Sequence, residues 1–114
     1  MKFYHNPRCS KSRKAKTFLE ENKIPYDLIL YLDTGISVQE IKDMLSKGLT
    51  IKDLLRVNEQ EYRDFVKNKN LPENKIISLI VEYPKMLQRP VAVGKKRALV
   101  CRDEDALQEI KKLV

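Results

Sequence analysis

Cys9 is the residue best placed to do chemistry. It lies in the stretch His5-Asn6-Pro7-Arg8-Cys9-Ser10-Lys11-Ser12-Arg13. Arg8, Lys11, Arg13, Lys14 and Lys16 put five positive charges between residues 6 and 19, with no acid among them. Cations beside a cysteine favour the thiolate and lower its pKa. A thiolate is the nucleophilic form, so the chemistry on offer is attack by sulfur on an electrophile. The competing reading is a structural cysteine at a strand end, which the electropositive setting disfavours.

The flanking elements place that thiol. Lys2-Phe3-Tyr4-His5 reads as a short strand running from edge to core. Ala15, Phe18 and Leu19 then recur at helical spacing, with Lys14, Lys16, Glu20 and Glu21 between them. That is an amphipathic helix. Cys9 therefore falls at a strand-to-helix turn, at or just before the first helical turn. There it faces unsatisfied backbone N–H groups and the positive end of the helix dipole.

Asn22-Lys23-Ile24-Pro25 ends this helix, since proline cannot continue it. Tyr26-Asp27-Leu28-Ile29-Leu30-Tyr31 is rich in strand formers and apolar on both faces, which predicts a strand buried on both sides. Strand, helix and strand of these lengths form a βαβ unit with parallel pairing. Asp33-Thr34-Gly35 reads as a turn. Ser37-Val38-Gln39-Glu40 has capping-box spacing and opens a helix with Ile41, Met44 and Leu45 inward, ending near Gly48. A short helix follows Thr50 through Ile51, Leu54 and Leu55, with Arg56 at its end. Tyr62, Phe65 and Val66 mark another. Leu71-Pro72-Glu73 opens a fourth, with Ile76, Ile77, Ile80 and Val81 on its core face and Pro84 beyond it. Residues 36–84 thus form a helical insert. Val91-Ala92-Val93 and Ala98-Leu99-Val100-Cys101 predict a hairpin turning through Gly94-Lys95-Lys96. A last helix starts near Asp103, with Ala106, Leu107, Ile110 and Leu113 as its core face.

The stretch from Tyr4 to Arg13, with His5, Cys9 and Arg13 each four residues apart, resembles the active-site loop of the glutaredoxin-coupled arsenate reductases. The wider family also holds Spx-type regulators and small thiol reductases. The resemblance runs from Met1 almost to Val114. It implies one thioredoxin-like domain over residues 1–114, an α/β fold whose four-stranded mixed sheet carries a helical insertion between its second and third strands. It also implies three oxyanion-binding arginines. These match Arg56 in Leu54-Leu55-Arg56, Arg89 in Gln88-Arg89-Pro90, and Arg102 in Leu99-Val100-Cys101-Arg102, with Arg97 as the competitor for the last. Arginine suits such an anion because its planar fork of donors keeps its charge. The resemblance further implies a cis Arg89–Pro90 bond facing the Cys9 loop.

The remaining residues leave alternatives. His5 either helps lower the Cys9 pKa, as the resemblance suggests, or is a polar strand-end residue. Ser12 stands where a Cys-x-x-Cys motif has its second cysteine; its hydroxyl either donates to the thiolate or caps the helix. Cys101 reads better as a small apolar residue than as a resolving thiol. Arg13 completes the motif. Three functions follow from the resemblance. The first is reduction of arsenate to arsenite through an adduct at Cys9, with glutathione as co-substrate and glutaredoxin as partner. The second is a glutathione-dependent thiol reductase, its arginines binding glutathione carboxylates. The third is an Spx-like regulator binding RNA polymerase, ranked last because Cys9-Ser10-Lys11-Ser12 lacks the second cysteine.

The totals set outer bounds. With 114 residues, 42% hydrophobic and 34% charged, the chain suits a soluble domain with a real core. No run approaches the ~18 apolar residues of a membrane span, and the first residues lack the apolar region of a signal peptide. Two distant cysteines make no disulfide framework, which points to a reducing cytoplasm. The charge of +7 favours anions, and its clustering near Cys9 favours a small oxyanion. No nucleic-acid motif, metal-ligand spacing or bound cofactor is expected, and the chain is expected to be monomeric.

Overall fold

The computed structural model describes residues 1–113. Strand β1 (Lys2–Tyr4) leads through the Cys9 loop into helix α1 (Ser10–Glu21), then into β2 (Asp27–Ile29). The helical insert follows as α2 (Tyr31–Thr34), α3 (Val38–Ser46), α4 (Ile51–Leu54), α5 (Gln60–Phe65) and α6 (Glu73–Glu82), closed by a 3-10 turn at Pro84–Met86. Strands β3 (Val91–Val93) and β4 (Ala98–Val100) and helix α7 (Glu104–Ile110) follow, and a 3-10 turn at Lys111–Leu113 completes the order. The sheet runs β2-β1-β3-β4. β1 pairs parallel with β2 and antiparallel with β3, and β3 pairs antiparallel with β4. This is the thioredoxin-like mixed sheet that the sequence implied, with its insert between β2 and β3.

Strand alternation divides the core in two, because neighbouring side chains point to opposite faces. Phe3 and Ala92 pack with Ala15 and Leu19 of α1 and Leu107 and Ile110 of α7. Tyr4, Val91 and Val93 pack against the insert, through Tyr31, Ile41, Met44, Leu54 and Ile80. α1 and α7 therefore cover one face and the insert covers the other. Among the described residues no helix is long and apolar enough to cross a membrane.

Three local expectations are corrected. β2 is an edge strand with Leu28 45% exposed, so it is not buried on both sides. An apolar run reports composition, whereas burial depends on which strands flank it. The chain also leaves the strand before Tyr31, which opens α2 and is fully buried. Finally, α4 stops at Leu54. Leu55 forms an isolated bridge with Leu87, and the Arg56 N–H donates to the Met86 carbonyl at 2.8 Å. Arg56 thus sits on a short ladder beside the chain that carries Arg89, not on a helix end.

Caps fix the helix starts. Ser37 and Glu40 form the expected capping box, and Thr50 and Asp53 form a second one at α4. Gly48, at φ +104, turns the chain after α3 in a conformation that side chains disfavour.

Candidate active site

Cys9 is the N-cap residue of α1, in extended backbone geometry. The loop before it is tied to itself. The Cys9 N–H donates to the Asn6 carbonyl at 3.1 Å, and the Arg8 N–H donates to Asn6 Oδ1 at 3.0 Å. The Asn6 N–H donates to Ser12 Oγ at 3.0 Å, and Arg13 Nη1 donates to the Pro7 carbonyl at 2.9 Å. These bonds hold the thiol over the helix N-terminus.

Burial pushes the Cys9 pKa up, and four donors overcome it: the Ser12 N–H, the Arg89 and Arg102 guanidinium groups, and the Lys11 N–H. The result is a thiol at about 7, half ionised near neutrality. Three of the five neighbouring cations credited in the sequence are spent elsewhere. Lys14 pairs with Glu104 at 2.8 Å, Lys16 pairs with Glu20, and Arg13 holds Pro7. Charges from the far end of the chain take their place.

Arg102 reaches the thiol directly. Its Nη1 lies 3.8 Å from Cys9 Sγ and donates to the Arg89 carbonyl at 2.6 Å. That carbonyl precedes the Arg89–Pro90 bond, which is cis. Arg97 is ruled out as the alternative, since it lies on the β3–β4 hairpin 3.4 Å from Glu109. Arg89 and Arg56 converge on Glu59. Its Oε1 is 3.6 Å from Arg89 Nη1 and 3.2 Å from Arg56 Nε, and Arg56 Nη1 donates to Gln88 Oε1 at 3.2 Å. Both arginines are mostly buried. Three guanidinium groups, one thiol and one bridging carboxylate are thus linked in one chain of contacts.

The structure sorts the remaining candidates. His5 is buried, and its Nδ1 lies 2.6 Å from Ser12 Oγ. Burial lowers the His5 pKa, with repulsion from Lys16 and Arg13 in the same direction, so it is neutral at pH 7. It therefore brings no charge to Cys9 and acts on the loop through Ser12. The Ser12 hydroxyl neither reaches the thiolate nor caps α1; it joins His5 to the Asn6 amide, and it is the Ser12 backbone N–H that favours the thiolate. Cys101 is 1% exposed in the α1/α7 core, with its thiol on the Leu99 carbonyl at 3.6 Å. Burial pushes it up to about 12.

The chain matches the ArsC family model over residues 4–110.

The chain belongs to the ArsC family.

Within the ArsC family, it is 34% identical to an arsenate reductase of Neisseria meningitidis serogroup A over 113 residues, 96% of this chain and 97% of that protein. It is 31% identical to the global transcriptional regulator Spx 1 of Bacillus cereus over 107 residues, 92% of this chain and 82% of that one. Among solved structures, arsenate reductase from Vibrio cholerae superposes with a TM-score of 0.85 at 29% identity, covering 100% of this chain and 98% of that one.

Two residues beside these arginines escaped the sequence reading. Glu59 meets Arg56 across the turn between α4 and α5 rather than along a helix, so helical spacing gave no signal for it. Tyr31 was read as a strand residue; the fold buries it completely, which pushes its pKa up to about 12 against the opposing charges of Arg89 and Arg56.

Proposed function

We propose that this ArsC-family protein reduces arsenate to arsenite, with Cys9 as nucleophile. The observation that carries the reading is the thiol at about 7 beside Arg102 and Arg89. A tetrahedral oxyanion placed there meets guanidinium donors from Arg89, Arg102 and Arg56, and its central atom faces the sulfur. Cys9 attacks arsenic and one oxygen leaves as hydroxide or water, giving a cysteine–arsenate adduct. A glutathione thiol displaces a second oxygen. Glutaredoxin then attacks the glutathione sulfur; arsenic keeps the electron pair of the broken As–S bond and becomes arsenic(III), and arsenite leaves Cys9 on hydrolysis. Two electrons thus pass from thiols to arsenic. The external donors are needed because Cys101, the other cysteine, is buried and protonated.

His5, Ser12 and Arg13 serve this cycle by holding the loop. A cleft of about 490 Å³ next to the loop, bounded by Asn6, Pro7, Arg8, Leu30, Leu32 and Lys85, suits the approach of a small thiol. We place the protein in the cytoplasm, where reducing conditions keep Cys9 free. The Spx 1 relative raises a regulatory reading. Against it, Ser12 is buried with its hydroxyl engaged, and it cannot form the disulfide of a Cys-x-x-Cys switch.

A coupled assay with arsenate, glutathione, glutaredoxin and NADPH tests the proposal, with Cys9→Ser as control. Arsenate-dependent NADPH oxidation that disappears in Cys9→Ser supports it. Turnover of a glutathione mixed disulfide but not of arsenate would assign the site to a thiol reductase instead.

A further inference from the structure

Two polar groups are buried without a hydrogen-bond partner among the described residues: the Tyr31 hydroxyl and Arg89 Nε. Unpaired buried groups are rare in native proteins and call for a reason. These two are complementary, since Nε–H only donates and a tyrosine hydroxyl can accept. They are also adjacent. Burial pushes Tyr31 up to about 12; Arg89 and Arg56 oppose that rise, and Cys9 adds to it. The hydroxyl is therefore protonated and lies within reach of the Arg89 guanidinium. Arg89 meanwhile spends its Nη1 on Glu59 at 3.6 Å, a long ion pair that an incoming anion must displace.

We propose that Tyr31 is a positioning residue for Arg89, accepting its Nε–H when the guanidinium turns from Glu59 to an oxyanion at Cys9. Arg89 then has two partners on the protein, Glu59 before the anion arrives and Tyr31 after. The turn pairs both orphaned groups at once and leaves the two Nη groups for the anion. Tyr31 lies on α2 and Glu59 just before α5, both inside the insert, so the insert supplies both settings of an arginine from the β3 side. This inference rests on the oxyanion reading of the site.

The test follows iodoacetamide alkylation of Cys9 as inorganic phosphate is titrated in at constant ionic strength. Wild type, Tyr31→Phe, Arg89→Lys and the double variant are compared. Tyr31→Phe should need about ten-fold more phosphate for the same protection, because a hydrogen bond from a charged donor is lost. Its melting temperature and its phosphate-free Cys9 titration at 240 nm should match wild type, which a merely structural lesion would not allow. Lysine has no Nε–H fork, so Tyr31→Phe should add nothing in the Arg89→Lys background. Wild-type protection with an unchanged Tyr31→Phe curve overturns the role of Tyr31 alone, as does an equal loss in both backgrounds. A wild-type Cys9 that phosphate never protects overturns the oxyanion reading, and this inference with it.

Discussion

Cys9 and Cys101 leave the same end of one sheet, Cys9 a few residues beyond β1 and Cys101 directly after β4. One is held at about 7 and the other pushed up to about 12. Burial opposes both thiolates, but far more completely at Cys101, which is 1% exposed where Cys9 is only partly buried. Donors widen the gap. Cys9 tops a helix N-terminus and faces two guanidinium groups, whereas Cys101 turns into an apolar core whose nearest acceptor is a carbonyl. A strand end is thus neutral ground; the direction in which the side chain leaves it decides between reagent and filler.

The sharpest way to break this contrast is differential alkylation. At pH 8, iodoacetamide should modify Cys9 faster than Cys101 by about 100-fold or more, since thiolate fraction and access both favour it. Mass spectrometry of partially modified protein reads the ratio, and comparable rates would dissolve the distinction. The pH profile sharpens it. The folded Cys9 pKa lies below its ordinary value, so its thiolate is present above about 7 and lost as pH falls through it. Arg102→Leu should move that midpoint upward.

A smaller effect is expected from Arg89→Lys. Charge survives but the planar fork does not, so arsenate turnover should fall by about 10-fold or more, equivalent to about 1.4 kcal/mol of transition-state stabilisation. Steady-state kinetics with a melting curve alongside decide it. Wild-type turnover would put the oxyanion site elsewhere, and loss of folding would make Arg89 structural.

Cys101→Ser should change turnover least, within about two-fold, because no step uses this thiol. Stability should drop by about 1 kcal/mol as a hydroxyl replaces sulfur in the core. A Cys9–Cys101 disulfide in oxidised protein, or a collapse of activity in a folded variant, would replace external thiol donors with an internal relay.

The sequence read well wherever the signal was local. The Cys9 loop, the N-cap position of its cysteine, the capping box at Ser37, the hairpin from β3 to β4 and the core face of α7 all follow from residues within a turn or two of each other. Helix periodicity and cap chemistry are properties of neighbouring residues, so they survive without knowledge of the rest of the chain. The resemblance of the loop and of the three arginine positions added the family.

Tertiary structure decided what distance in sequence conceals. The five cations near Cys9 looked like the source of its acidity, yet the fold sends Lys14, Lys16 and Arg13 to other partners and brings Arg89 and Arg102 in. His5 stood between a helper for the Cys9 pKa and a polar strand-end residue, and burial makes it a neutral support for Ser12. The apolar run around Leu28 looked buried, and sheet order leaves it at an edge. In each case the composition was read correctly and the environment was not. Electrostatics and burial depend on through-space neighbours, and for Cys9 one guanidinium at 3.8 Å lies 93 residues away along the chain.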